Sequence, residues 1–347
     1  MKVLMIGPHR KLKGGVSTVV NNYFKAGLQE KINLKYIPTS IEGSMLKNIF
    51  FFMFALINIT CYLAFKKIDV AHIHMASRGS FYRKSLIVLI CSVFRKQIVI
   101  HLHGAEFDVF YHKESNASKR KYISYILNKA DCIIALSEEW KEKISIYCNS
   151  KVEVVYNSVD IPKANFYKNG SRNLLFLGRI GKRKGVFDII RALSEVKKLG
   201  YNFKLLVCGD GEVEQLKNLT KEYNMQQDVI IHGWISGDSK DELLKNIGIN
   251  LLPSYNEGMP MSVLEAMSYG IPTIASNVGG IPKIIEHGIN GYVIEPGDIE
   301  LLKKYIILLL GDQDLREELS RKSYNTVKGK FDIEVQLDKL LKIYKSL

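Results

Sequence analysis

Two glutamates separated by seven residues, Glu257 and Glu265, stand on either side of a predicted helix start. Residues 247–252 form an apolar run that predicts a strand, and residues 261–269 have the pattern of a helix. Pro260 suits the first helical position, because its missing N–H costs nothing there. The free amides and positive dipole end of this helix predict an anion site such as a diphosphate would occupy. Hydroxyl groups of a sugar and a ribose would then be partners for the two carboxylates.

A basic cluster, Gly178-Arg-Ile-Gly-Lys-Arg-Lys-Gly185, follows the predicted strand 173–177. Its position at a strand end and its charge are those of a phosphate clamp. We expect Arg179 and Lys184 to point inward, whereas the neighbouring residues Lys182 and Arg183 suit a solvated loop. The next predicted strand ends in Cys208-Gly-Asp-Gly211. Gly209 and Gly211 therefore predict a second loop, at the same edge of the sheet, whose backbone can approach a ligand closely.

In the first half, Gly14 and Gly15 lie between the predicted strand 2–6 and a helical pattern at 19–28. Neither the dinucleotide fingerprint nor a P-loop is present, and a plain turn and a close approach to a ligand are equally compatible with the pair.

Four histidines alternate along two predicted strands, as His72 and His74, then His101 and His103. Alternation puts each pair on one strand face, so we considered a metal site and disfavoured it, since no carboxylate or cysteine lies at ligand spacing. His103 precedes Gly104 at a strand end, where open α/β sheets bind ligands, which favours a site role for His103. For His72 and His74 a core role is favoured.

The elements that must position these residues alternate between strand and helix on both sides of an aperiodic stretch, 161–172. This predicts an α/β protein with two Rossmann-like, doubly wound parallel sheets facing a cleft. The predicted domains are residues 1–160 and 173–330, with 161–172 as the linker. A terminal helix at about 331–347 is a candidate for packing back on the first domain.

Charge is distributed unevenly, since residues 1–150 contain 22 Lys and Arg against 10 Asp and Glu, out of a net charge of +14 for the chain. A basic domain suits nucleic acid, an anionic bilayer or a phosphorylated substrate. Nucleic acid is disfavoured, because no recognised module interleaves aromatics with a basic stripe. Ile49–Phe65 carries no charge and is bordered by lysines, which predicts a partly buried helix that also touches the membrane interface, ahead of a buried helix or a true span. Five scattered cysteines and a short first apolar run indicate reduced thiols in the cytoplasm and no signal peptide.

These motifs, taken in order, resemble those of the retaining glycosyltransferases of family 4, which have the GT-B fold. The resemblance rests on Gly178-Arg179 with Lys184-Gly185, on Glu257-x7-Glu265 and on the run Gly270 to Gly280, and it covers nearly the whole chain. The Gly14-Gly15 loop and His103-Gly104 are similar to the family's N-terminal motifs.

The resemblance implies a nucleotide-sugar donor on the C-terminal domain and an acceptor on the N-terminal domain. The positions matching Arg179 and Lys184 would hold the diphosphate, Glu265 the ribose and Glu257 the transferred sugar. His103 would lie at the reaction centre, and Gly14 with Gly15 would approach the diphosphate. The remaining donor contacts would come from the backbone of the helix start, at Gly258, Met259, Pro260 and Met261. No metal or cofactor is expected, and Asp312-Gln-Asp314 is interpreted as a helix start.

The leading hypothesis is transfer of a hexosyl unit from a UDP- or GDP-sugar to a lipid-linked or other saccharide acceptor, with retention, in surface-polysaccharide synthesis. We expect the enzyme to be peripheral on the inner face of the cell membrane. Two alternatives stay open: a nucleotide-sugar epimerase or hydrolase of the same fold, and a non-catalytic subunit that binds donor and membrane.

Overall fold

The computed structural model describes residues 1–104 and 106–347, which divide into two compact units. The first unit contains Met1–Ser158 together with Ile333–Leu347, and the second contains Val159–Asp332. Each unit is built on one six-stranded sheet in which every strand pair is parallel. The predicted fold class, two doubly wound parallel sheets, is therefore confirmed.

The first unit has the strand order β2-β1-β3-β4-β5-β6. Its strands are β1 (Lys2–Gly7), β2 (Asn33–Pro38), β3 (Val70–Met75), β4 (Gln97–Leu102), β5 (Cys132–Ala135) and β6 (Lys151–Val154). Its helices are α1 (Gly15–Lys25), α2 (Leu28–Lys31), α3 (Met45–Phe65), α4 (Gly79–Val93), α5 (Phe107–His112), α6 (Ala117–Leu127), α7 (Glu138–Tyr147) and the C-terminal α15 (Ile333–Ser346).

The central strands of this sheet are buried on both faces, as expected for strands covered by crossover helices. Every residue of β3 is buried, and its register with β4 sets His74 opposite His101. The chain runs from β1 outward to β2 and then returns to β3 on the other side of β1. The loops after β1 and β3 therefore flank the point where such sheets bind ligands.

The second unit repeats this plan with the order β12-β11-β10-β7-β8-β9. Its strands are β7 (Asn173–Leu177), β8 (Lys204–Cys208), β9 (Val229–Ile231), β10 (Ile249–Leu252), β11 (Thr273–Ser276) and β12 (Tyr292–Ile294). Its helices are α8 (Val186–Lys198), α9 (Val213–Glu222), α10 (Asp238–Leu244), α11 (Met261–Ser268), α12 (Ile281–Ile284), α13 (Ile299–Gly311) and α14 (Gln313–Lys330). The order reverses between β7 and β10, so the loop after β7 and the loop after β10 lie side by side at the sheet edge.

Residues 161–172 lack helix and strand but are held to the second unit by hydrogen bonds. The Asn165 side chain donates to Ser320 Oγ at 3.0 Å, and the Tyr167 hydroxyl donates to the Gly248 carbonyl at 3.0 Å. The terminal helix α15 belongs to the first unit, where Lys31 Nζ lies 2.7 Å from the Glu334 carboxylate.

One expectation about an element was wrong, and three helices had not been predicted. Pro260 is the N-cap of α11 and has an extended backbone (φ −72°, ψ 121°), so the helix begins one residue later, at Met261. The residues of α4, α5 and α6 carried no prediction, because their mixed composition lacks a clean apolar stripe.

Candidate functional site

Glycines let the loops at the edge of the second sheet pack directly on one another. A Cβ at Gly185 would lie 2.0 Å from the Pro253 carbonyl oxygen, so only glycine fits between the loops after β7 and β10. A Cβ at Gly209 would lie 1.8 Å from the Gly178 oxygen, and one at Gly211 would lie 2.3 Å from the Ile180 oxygen. The structure thus brings the loops after β7, β8 and β10 together, as predicted. The space next to Gly209 and Gly211 is taken by protein backbone.

An ion pair links two of these loops. Lys184 Nζ lies 2.5 Å from Glu257 Oε1, and the Ser254 hydroxyl donates to the same oxygen at 2.7 Å. The side chains are only 15% and 6% exposed, so both charges are largely withdrawn from water. A buried carboxylate needs such partners, because an uncompensated buried charge is strongly destabilising. Lys184 and Glu257 therefore stabilise each other at this position.

The loop that carries Glu257 is anchored from both sides. The Arg183 side chain donates to the Asn256 carbonyl at 2.9 Å, and the Tyr255 hydroxyl donates to Asp188 at 2.9 Å. Arg183 is exposed, as predicted for a solvated loop, and its guanidinium also reaches a main-chain oxygen. Arg183 thereby fixes the carbonyl that precedes Glu257.

Glu265 lies on the second turn of α11, as expected, and has its own cation. Lys240 Nζ, from α10, lies 2.7 Å from Glu265 Oε1, with the side chains 18% and 13% exposed. The two predicted carboxylates of the site are therefore each paired with a lysine. Sequence reasoning found Lys184 but missed Lys240, which lies 25 positions away and follows no motif.

Arg179 follows β7 and is exposed. Its Cγ lies 3.2 Å from where a Cβ at Gly211 would be, so the side chain runs along the loop after β8. Within residues 1–104 and 106–347 its guanidinium makes no hydrogen bond or ion pair. It is available for an anion beside the pair of Lys184 and Glu257, whereas Lys182 is exposed as predicted.

The start of α11 is braced from the opposite side by the loop after β11. Gly279 has φ +56°, and a Cβ there would lie 1.9 Å from the main-chain carbonyl oxygen of Glu257. The Gly280 amide donates to the Gly258 carbonyl at 2.5 Å. The side chains of Met259 and Met261 are buried, so these positions can offer a ligand main-chain atoms only, and Pro260 has no N–H to offer.

In the first unit, Gly14 is the N-cap of α1 with φ 140°. A Cβ at Gly14 or Gly15 would meet no heavy atom of the described chain within 4 Å. Packing within the described chain therefore does not require glycine at either position, although the backbone angle favours it at Gly14. Their approach to a donor stays a prediction.

His72, His74, His101 and His103 form a stack of rings that we call the histidine ladder. Neighbouring ring centroids lie 4.1 to 5.3 Å apart. His74 Nδ1 lies 2.7 Å from His103 Nε2, and His72 Nε2 lies 3.3 Å from His101 Nδ1. His72 Nδ1 is hydrogen-bonded to the Tyr344 hydroxyl of α15. The buried positions of His72 and His74 confirm the predicted core role, and His103 ends the ladder at the sheet edge, half-buried.

Burial keeps the ladder uncharged. Desolvation lowers the pKa of His72 and of His103 to about 3, and it lowers the pKa of His74 and His101 well below the usual range. His103 is therefore a neutral imidazole at pH 7. It can exchange hydrogen bonds with a hydroxyl, but it is too weak a base to hold a proton.

Three ladder histidines could in principle hold a transition metal, since His72, His74 and His101 offer nitrogens within 4.8 Å of one another. Their rings are stacked with interplanar angles of 29° to 44°, and the closest nitrogens already face each other as hydrogen-bond partners. We interpret the group as a hydrogen-bonded network. Asp312 is the N-cap of α14, where it accepts from the Leu315 amide at 2.8 Å, which confirms its interpretation as a helix start.

Comparison with known proteins places both units in one class of enzyme. Residues 16–163 match the family model "Glycosyltransferase Family 4", and residues 159–326 match "Glycosyl transferases group 1". The N-acetyl-alpha-D-glucosaminyl L-malate synthase of Bacillus anthracis is 27% identical over 300 residues, which cover 80% of this chain and 75% of that protein. The capsular polysaccharide biosynthesis glycosyltransferase CapM of Staphylococcus aureus is 26% identical over 248 residues, covering 64% of this chain and 65% of CapM.

Solved structures agree on the fold. Anabaena HepE, determined in complex with UDP-glucose, superposes with a TM-score of 0.77 at 18% identity, and the match covers 100% of both chains. At that identity the likeness concerns the fold alone. With two family models spanning residues 16–326 between them, the chain belongs to the GT-B glycosyltransferases that join a family 4 N-terminal unit to a group 1 C-terminal unit.

Proposed function

We propose that this glycosyltransferase moves a hexosyl unit from a nucleotide-sugar donor to a lipid-linked saccharide acceptor, with retention of configuration. The observation that carries the proposal is the buried pair of Lys184 and Glu257 at the reversal point of the second sheet. Its cation and its carboxylate suit two parts of one molecule, the diphosphate and the sugar. HepE, a protein of the same fold, was determined with UDP-glucose, which supports a nucleotide sugar as the donor class.

The pair would work by exchange. In the structure Lys184 neutralises Glu257 at 2.5 Å. When a donor enters, Lys184 turns to the diphosphate, and Arg179 adds a second, unpaired cation from the same loop. Glu257 is then free to accept hydrogen bonds from sugar hydroxyls while Ser254 still holds it in place. The pair would thus hold in place the charges that the donor needs.

Leaving-group stabilisation would come from the same elements. As the sugar–phosphate bond breaks, negative charge builds on the departing diphosphate, where two cations and the first amides of α11 are aimed. In this proposal no metal is required, because these groups meet the charge directly. Glu265, with Lys240 beside it, would bind the ribose, which does not react.

His103 would orient the reacting sugar. Its neutral ring receives support from His74 at 2.7 Å and ends a rigid ladder of stacked rings. A neutral imidazole can bond a sugar hydroxyl without trapping the acceptor proton. The proton of the attacking hydroxyl would leave with a donor phosphate oxygen on the same face of the sugar, which is a front-face route that retains configuration.

The test is transfer of radiolabel from a panel of UDP- and GDP-sugars to membrane lipid extracts, with Lys184→Ala as the probe. Lys217→Ala is the matched control, because Lys217 forms an exposed pair with Glu214 in the same unit. We expect label in the lipid phase with wild type and with the control, and a loss of roughly 10²- to 10³-fold with Lys184→Ala.

Label released as free sugar at the same rate with and without acceptor would favour a hydrolase instead. Conversion of the donor to an isomer would favour an epimerase. Binding of a donor with no turnover under any acceptor would favour a non-catalytic subunit.

A further inference from the structure

Helix α3 presents an apolar face to solvent over residues 45–57 and again at Phe65. Eight of the 22 exposed large apolar side chains in the described residues lie on these 21 positions, so the exposure is concentrated. They are between 46% and 82% exposed: Met45, Leu46, Ile49, Phe50, Met53, Phe54, Ile57 and Phe65. Most of them recur at intervals of three or four residues, which places them on one side of the helix, the outer face of α3.

The opposite side of α3 belongs to the core of the first unit. Phe52, Ala55, Ile59 and Leu63 are at most 5% exposed and join the main hydrophobic cluster. In the described part of the chain, α3 is the one helix long and apolar enough to cross a membrane. Crossing would require these four side chains to leave the core, which would expose the centre of the unit. Because these side chains stay in the core, the axis of α3 lies parallel to any surface that its outer face contacts.

Charge identifies the kind of surface. The sequence from residue 43 to 68 has no Asp or Glu, and lysines border the apolar run at Lys47, Lys66 and Lys67. Lys35 Nζ, from the adjacent strand β2, lies 5.9 Å from the centre of the Tyr62 ring of α3. The whole first unit has 26 Lys and Arg against 13 Asp and Glu, a net charge of +13. An apolar stripe with basic borders complements the acyl layer and the anionic headgroups of a bilayer.

We propose that the outer face of α3 inserts into the interfacial region of an anionic phospholipid bilayer and holds the enzyme on the membrane as a monotopic protein. The helix lies in the plane of the interface, with its aromatic side chains at acyl depth and its lysines among the headgroups. The evidence for membrane docking comes from α3 and its surroundings and does not depend on the proposed function. Only the further statement that docking brings the first unit to a lipid-linked acceptor rests on the proposed function.

Vesicle flotation of the full chain tests the docking. Wild type is expected to float with phosphatidylcholine–phosphatidylglycerol vesicles and to bind pure phosphatidylcholine far less. Phe50→Ser with Phe54→Ser should lower the partition coefficient about 100-fold or more, since each removes an aromatic ring from the bilayer. Changing Lys47, Lys66 and Lys67 together to Gln should lower it roughly 100-fold on anionic vesicles only.

Ile146→Ser is the matched control, because Ile146 is 77% exposed on α7 of the same unit, and it should bind as wild type does. Both α3 variants should keep the melting temperature of wild type, since their side chains face solvent. They should also keep transfer to a water-soluble acceptor, a readout that separates failure of docking from failure of the proposed function.

Cys61 gives an independent measure of depth. It is the exposed cysteine, on α3, whereas Cys91, Cys132, Cys148 and Cys208 are buried, so a bimane label can be placed selectively. Quenching by lipids brominated near the glycerol backbone is expected, and no quenching would overturn the proposal. Recovery of wild type in the soluble fraction would overturn it too. If wild type forms a dimer that does not bind vesicles, and if Phe50→Ser with Phe54→Ser dissociates that dimer, the outer face of α3 contacts a second copy of the chain instead. If the protein resists alkaline extraction from the membrane, α3 crosses the bilayer instead.

Discussion

The two units share a sheet plan but handle buried polar groups in opposite ways. At its candidate site the second unit withdraws charges from water in pairs, Lys184 with Glu257 and Lys240 with Glu265. At its sheet edge the first unit stacks neutral histidines, and its buried Lys84 donates to the Thr39 hydroxyl at 2.6 Å. A paired charge can be exchanged for a ligand charge, whereas a neutral imidazole can only exchange hydrogen bonds. In the proposed function the second unit therefore receives the anion, and the ladder gives the first unit a rigid, uncharged edge.

The largest effect is expected from Lys184→Ala. It removes the cation proposed to bind the diphosphate and leaves Glu257 buried with Ser254 as its remaining side-chain partner. Transfer should fall roughly 10²- to 10³-fold, measured as kcat/KM for the donor. A rate equal to that of Lys217→Ala would contradict a catalytic role for the buried pair, because loss of its lysine would then matter no more than loss of a lysine from an exposed pair.

Glu257→Gln separates the effect of the negative charge from the effect of the side chain's shape. Glutamine keeps the shape and can still accept from Ser254, but it cannot balance Lys184. We expect kcat to fall about 100-fold, with a smaller change in donor KM because the cations for the diphosphate remain. A change in KM with kcat intact would move Glu257 from the sugar to the nucleotide.

Acidification tests the uncharged edge of the first unit. The folded-state pKa values of His72 and His103, about 3, lie below the unfolded value of 6.5. The unfolded chain therefore binds more protons in that window, and stability is fully present above about pH 6.5 and is lost as pH falls toward 3. The free energy of unfolding should drop by about 1.4 kcal/mol per pH unit for each histidine that stays neutral.

Urea unfolding followed between pH 6.5 and pH 5 measures this slope. His101→Leu should reduce it by about one proton, and His112→Leu, at an exposed histidine outside the ladder, is the matched control. Equal slopes in wild type and His101→Leu would mean that the ladder is charged or that it opens before the unit unfolds.

Glu265→Gln should give the smallest effect. In the proposed function the ribose is bound but does not react, so donor KM should rise about 5- to 10-fold with kcat nearly constant. Lys240→Ala should behave in the same way, since it leaves Glu265 without its partner at 2.7 Å. Equal losses of kcat in these variants and in Glu257→Gln would contradict the separate roles of the two carboxylates.

The sequence predicted the fold because parallel strands are apolar runs bounded by loops. The predicted strand 173–177 agrees with β7 to the residue, and the predicted strand 2–6 agrees with β1 to within one residue. Gly270 ends α11 with φ +73°, as a glycine after a helix should. The residues of α5 and α6 gave no prediction, since local composition does not show which face a short helix buries.

The site was less predictable than the fold. Lys184 and Glu257 were found through motifs, but their ion pair required two loops to meet across Gly185 and Pro253, which no local pattern reports. Lys240 and Ser254 lie outside the motifs altogether. The histidine alternation was visible, yet the ladder depends on the β3–β4 register that sets His74 opposite His101. Partners across elements are a property of tertiary packing.

The most direct test of the account is thermal unfolding with a panel of nucleotide sugars on wild type, Lys184→Ala and Lys217→Ala. A donor that binds the folded protein raises the melting temperature by mass action. The account predicts that at least one nucleotide sugar raises it in wild type and in Lys217→Ala, and that the same compound fails to do so in Lys184→Ala. An equal rise in all three proteins, or no rise with any nucleotide sugar, would contradict the claim that Lys184 exchanges Glu257 for the donor.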